Sequence, residues 1–194
     1  MAFPDDLLEL AEDLANLHRG RPHQASLRRA VSTAYYAIFH LLISEATVNW
    51  ARPELRAILG RCFDHGPMKQ ASEVKVSQIN TAFKDNPPEG AAKKVTIHLR
   101  TVANAFIQAQ QRRNDADYNV GKEWTPVEVD TQIASVNEAF KAWNIIRDEA
   151  AAQAYLVSLL GARERRPNEP KLPKARAEGK MKPRAKPPQT IQAE

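Results

Sequence analysis

Apolar residues recur at steps of three and four along most of the chain, the spacing of helices that bury one face. Between Gln24 or Ser26 and Glu45 the stripe is Leu27, Val31, Ala34, Ile38 and Leu41. Tyr35, Phe39 and Leu42 widen it to the arc that a helix in a globular core requires. Val95, Leu99, Val102, Phe106 and Ala109 repeat the pattern in a long helix that opens near Ala91. A last helix carries Val129, Ile133, Val136, Phe140, Trp143 and Ile146 inward. Thr125 is its N-cap, Pro126 its first residue and Glu128 its capping-box partner; it is predicted to run to Leu160, where Gly161 ends it. A first helix is predicted from Pro4 to Leu17, with Asp5 and Asp6 favourable at its positive end.

The segment from 47 to 90 is less regular. "RPELRAILGRCF" reads as a short helix from Pro53, and "MKQASEVKVSQINTAF" as one or two more. "KDNPPEG" is a loop, because two prolines and a glycine cannot continue a helix. No run of β-branched residues alternates as a strand would. The expected fold is all-α: an up-and-down bundle of four main helices with short additions.

Charge divides the chain in two. Residues 163–194 hold ten Lys or Arg against four Glu, a net +6, and six of the thirteen prolines. Residues 1–162 hold 18 basic and 19 acidic groups, a net −1. The overall +5 thus belongs to the tail, not to the helical body. With almost no large apolar residue after Leu172, the tail cannot offset its ordering entropy by burial, and it is expected to be disordered. Either it attracts a polyanion, since each phosphate neutralised releases a counterion, or it is a solubilising appendage.

Other chemistry is scarce. No stretch reaches the about 20 apolar residues of a membrane span, and the acidic, amphipathic N-terminus is unlike a secretory signal, so a cytoplasmic protein is expected. The single Cys62 forms no intrachain disulfide and is read as a small buried apolar residue. His18, His23, His65 and His98 lack metal-ligand spacing, so neither a metal nor a cofactor is expected.

Polar residues where apolar ones belong are more informative. Continuing the series 102, 106, 109 by four reaches Arg113, a permanent cation at the inner end of a core stripe. Arg112 lies about 100° further round and can be solvated. Arg29, Thr33, Tyr36 and His40 form a second polar seam, at steps of four, three and four. Arg113 and Asp117, one turn apart, can be a helix-end ion pair or part of a site facing that seam; Asp115 and Asp117 complete a polar cluster with Tyr118. Tyr35, Tyr36 and Phe39 read first as core aromatics, and His40 as a packed histidine or a substitute base.

"LRRAVSTAYYAIFHLL", then a long helix ending "RRNDADYNV", then "WTPVEV" opening a last helix, resembles the HEPN superfamily of helical bundles over residues 24–155. The likeness is to the branch with an "RRAYYAxFH"-like helix and an "R..ADY" ending. The resemblance implies a homodimer with an arginine–histidine motif from each chain lining one cleft. It also implies RNA as substrate, metal-independent endoribonuclease chemistry in active members, and often a nucleotidyltransferase-type antitoxin partner or a defence system. Arg113, Arg112, Arg29 and Tyr36 then become candidates to contact RNA, with Arg113, Tyr118 and His40 as candidate catalytic groups. The pattern departs at one position: four residues separate Arg113 from Tyr118, where the family carries histidine. Tyrosine ordinarily ionises near pH ~10 and is a weak base at neutrality. A second reading is therefore a non-catalytic helical module that dimerises or binds a partner.

Overall fold

The computed structural model describes residues 2–18 and 20–161; the tail expected to be disordered lies outside them. Every regular element among the described residues is helical. They are α1 (Phe3–Asn16), α2 (Gln24–Val48), a 3-10 turn (Pro53–Leu55) leading into α3 (Arg56–Gly60), α4 (His65–Asp85), α5 (Gly90–Tyr118), α6 (Pro126–Ile146) and α7 (Ala150–Leu159). The four long helices are α2, α4, α5 and α6; α2, α5 and α6 fall where the periodicity predicts, α4 lies in the segment read as irregular, and α1, α3 and α7 are shorter. Within the irregular segment, "RPELRAILGRCF" forms the 3-10 turn and α3, and "MKQASEVKVSQINTAF" belongs to one helix, α4, which starts earlier, at His65.

Cross-helix contacts set the directions. Gln24 meets Trp124 at the start of α6, and Glu45 meets Arg147 just beyond its end, so α2 and α6 run parallel. Arg28, near the start of α2, reaches Ala116 near the end of α5, so α5 is antiparallel to both. Gln110 of α5 donates to the His65 carbonyl, while Arg100 sits over the Phe83 ring, so α4 opposes α5. The central element is α2, packed on α1, α5 and α6. Ala30, Ala34 and Ala37 are fully buried on it, and their small side chains let neighbouring helices approach.

The capping box opens α6 as the sequence predicts: Thr125 Oγ1 accepts from the Glu128 amide at 3.3 Å, and Glu128 Oε2 accepts from the Thr125 amide at 2.9 Å. The Thr125 amide and hydroxyl, both donating to Oε2, hold the Glu128 carboxyl below its usual range. Gly161 ends α7 in the left-handed region, φ +63, and a Cβ there would stand 3.0 Å from Pro67 Cβ. Both features favour glycine there.

Two expectations are corrected. The last helix is not continuous to Leu160: α6 stops at Ile146 and α7 restarts at Ala150. A straight helix would carry the stripe on to positions 150, 153 and 157, yet Val157 is exposed, while Ala152, Tyr155, Leu156 and Leu159 are buried. The bend turns that second stripe toward α4, where the buried Tyr155 hydroxyl pairs with Ser72 at 2.8 Å. Gln153 satisfies the Arg147 carbonyl freed by the break, at 2.6 Å. Cys62 is exposed, not buried, because it follows the short α3 on the surface.

Candidate functional site

The last turn of α5 faces the first half of α2. Arg113 lies on the inner side of α5, and its guanidinium is tied down on three sides. One terminal nitrogen donates to the Tyr36 hydroxyl at 2.9 Å, and the other to Asn114 Oδ1 at 3.2 Å. Nε lies 2.8 Å from Asp117 Oδ2, but its N–H is not aimed at that oxygen, so this contact is a charge pair more than a hydrogen bond. Both side chains are mostly covered, 17% and 22% exposed. Asp117 is held in turn by the buried Ser32, whose hydroxyl donates to Oδ1 at 2.6 Å. Burial works against the Arg113 charge, and the Tyr36 hydrogen bond and the Asp117 charge outweigh it, so its pKa is raised. The guanidinium carbon also sits 5.6 Å from the centres of both the Tyr36 and Tyr118 rings, within cation–π range.

Beside this cluster is an open cleft of ≈ 480 Å³, lined by Ala25, Arg28, Arg29, Tyr36, Arg113, Ala116 and Asp117. Arg28 and Arg29 play opposite parts in it. Arg28 is spent on backbone: it donates to the carbonyls of Ala116, Asn119, Val120 and Lys122. It therefore caps the carbonyl end of α5 and folds the connection to α6 around itself. Gln24 finishes the clamp with two hydrogen bonds to the Trp124 backbone, at 2.8 and 2.9 Å. Arg29 is exposed and makes no hydrogen bond or ion pair among the described residues. Its charge is available to a ligand in the cleft.

The structure sorts the remaining candidates. Arg112 turns to α6, where it donates to the Glu128 carbonyl at 3.4 Å, and it is not part of the cleft lining. Asp115 faces Lys122 at 3.8 Å rather than Arg113. Tyr118 is 71% exposed. Tyr35 and Phe39 are core aromatics as expected, and Tyr36 is half-buried with its hydroxyl on Arg113. His40 packs edge-on against Phe3, 5.0 Å between centres, and lines a separate groove with Ser44, Thr47 and Arg56. Burial and neighbouring His65 lower its pKa.

His65 is the residue that spacing did not single out. Placed at the start of α4, its ring packs 4.4 Å from Phe39 and 6.2 Å from Tyr36, close enough to Arg113 to feel its charge. Burial, then Arg113, lower its pKa, so it is neutral at pH 7. Its Nδ1 pairs with the Tyr35 hydroxyl. Burial raises the Tyr35 pKa and keeps the phenol protonated. The two groups share one hydrogen bond, whose direction follows the imidazole tautomer, and it ties Nδ1 to a buried phenol.

No protein-family profile, curated protein or solved structure matches the chain. Among the described residues no helix is long and apolar enough to cross a membrane.

Proposed function

We propose that this chain is an RNA-directed effector of the HEPN-like kind, and that its cleft between α2 and α5 binds RNA phosphate without cleaving the chain by arginine–histidine chemistry. The observation that carries the reading is the pair of arginines on one cleft: Arg113 oriented by Tyr36 and Asp117, and Arg29 exposed with its charge unspent. A fixed guanidinium beside a free one is suited to a phosphate diester, which takes parallel N–H donors from arginine. Cleavage would need a base beside that phosphate. Tyr118 occupies the motif position, His65 has its Nδ1 engaged by Tyr35, and His40 packs on Phe3 in another groove.

The test is fluorescence anisotropy of a labelled RNA with the full chain, over a series of salt concentrations. Because Arg29 is exposed, Arg29→Ala is expected to leave thermal unfolding unchanged. Affinity should fall about tenfold, and the slope of log K against log salt should flatten by about one. RNA length on a denaturing gel should be unchanged after incubation. Wild-type protein that ignores RNA at low salt, or an Arg29→Ala protein that binds as well as wild type, defeats the reading. RNA cut by the wild type defeats its second half.

The tail is a separate electrostatic contribution. Ending the chain at Ala162 removes a net +6 and leaves a body of net −1. Affinity at low salt should weaken and its salt dependence flatten, for every RNA sequence alike. An unchanged salt slope would show that the tail makes no phosphate contacts.

A further inference from the structure

The first helix carries more apolar surface than the bundle covers. Phe3, Leu7, Leu10, Leu14 and Leu17 follow one another at steps of four, three, four and three, the spacing of a coiled-coil seam. Leu17 prolongs the helix by one position, with φ −55 and ψ −27. Another edge of α1 faces the core, where Pro4, Leu8 and Ala11 are buried. Along the seam, Leu7 and Leu14 are half-buried, while Phe3, Leu10 and Leu17 are 59%, 47% and 59% exposed. An apolar line about 21 Å long, some four turns of helix, thus stands partly open to solvent. At Phe3 it runs into a groove of ≈ 370 Å³ lined also by His40, Ile43, Thr47 and Arg56. No residue of α1 lines the cleft between α2 and α5, so the two surfaces are distinct.

Charge selects the occupant. α1 holds Asp5, Asp6, Glu9, Glu12 and Asp13, and no Lys or Arg. Asp6 and Asp13 follow Phe3 and Leu10 by three residues and so flank the seam on its solvent side. Both are exposed and make no ion pair among the described residues. A second copy is a poor fit. In an antiparallel pair the Asp6–Asp13 edge of one α1 would face the same edge of the other, carboxylate against carboxylate. In a parallel pair it would face the edge of Pro4 and Ala11, which the bundle already covers. RNA and anionic lipid are repelled by the same carboxylates. We propose that the Phe3–Leu17 seam of α1 docks an amphipathic helix of a second protein, one that carries Lys or Arg beside its apolar stripe, opposite Asp6 and Asp13. The apolar stripe supplies the attraction, and the two aspartates set the charge of the partner.

The experiment uses the full chain and three labelled three-heptad peptides. One has Leu at the seam positions and Lys beside them, one has Glu in place of each Lys, and one has the basic composition in scrambled order. By fluorescence anisotropy the basic heptad peptide should bind at least about tenfold more tightly than the scrambled one. Leu10→Gln should weaken that binding about tenfold and leave the unfolding midpoint unchanged, because Leu10 is exposed. Asp6→Lys with Asp13→Lys should weaken the basic peptide and strengthen the acidic one, each about tenfold relative to wild type. The basic tail is common to all these proteins and cannot produce that exchange. A basic heptad peptide that does not bind, or binds no better than the scrambled one, overturns the proposal. So does a double charge reversal that leaves both affinities in place. A wild-type oligomer that Leu10→Gln dissociates in analytical ultracentrifugation assigns the seam to a second copy and overturns it as well.

Discussion

Arg28→Ala is expected to lower the unfolding midpoint on the order of 10 °C. Arg28 donates to four carbonyls, those of Ala116, Asn119, Val120 and Lys122, at distances from 2.5 to 3.1 Å. Hydrogen bonds from a charged donor are worth about 1.5–3 kcal/mol each when buried, but they are not additive and this guanidinium is partly solvated. A total of about 3–4 kcal/mol is the reasonable expectation. The loss has two parts: α5 forfeits the cation at the negative end of its dipole, and residues 119–125 lose the group they wrap around. Lysine carries one compact charge in place of the planar fork, so Arg28→Lys should recover less than half. Amide exchange should speed up first in residues 119–125. Arg29→Ala, one residue away, is the internal control and should scarcely move the midpoint. Equal midpoints for the Arg28 and Arg29 variants would show that the clamp does not hold the α5–α6 connection.

Arg113→Ala is expected to cost both stability and binding. The substitution leaves Asp117 with only Ser32 for a partner among the described residues, in a place where its carboxylate is 22% exposed. Breaking a fully buried pair costs about 3–5 kcal/mol; discounted for this degree of solvation, the expected loss is about 2 kcal/mol. RNA affinity should fall more than tenfold, because the oriented member of the arginine pair is gone. Two further variants separate the roles. Arg113→Ala with Asp117→Ala removes the stranded charge and should regain about half of the stability but none of the binding. Arg113→Lys keeps a charge without the fork, and should bind weakly. An Arg113→Ala protein unchanged in midpoint and in RNA affinity would reduce "RRNDADYNVG" to an ordinary solvated helix end.

The helical architecture was legible because periodicity is a local property. Leu27, Val31, Ala34 and Ile38 fall on one face of any helix that contains them, and all four are buried here. Thr125 with Glu128 specifies a helix start within four residues, and the structure forms that capping box. The same arithmetic placed Arg113 on the inner side of α5. The break after Ile146 also has a sequence signal, because the stripe 152, 155, 156, 159 is out of phase with the one before it. A helix that must bury two faces at different angles has to bend between them.

What no local pattern could decide is which groups meet across the bundle. Arg28 and Arg29 are adjacent and chemically identical in sequence, yet one is consumed by four carbonyls about 90 residues away and the other stays free. The difference is about 100° of helix rotation relative to α5. His65 has only Asp64 as a charged neighbour in sequence, and it acquires Tyr35, Tyr36, Phe39 and the charge of Arg113 when α4 docks. The chain by itself thus determines which segments are helical and which face of each is apolar, because both follow from steps of three and four. Tertiary packing alone decides which arginine is structural, which histidine is tied to a buried tyrosine, and which tyrosine stays exposed. Each of those depends on the rotation and depth of a second helix that the first cannot encode.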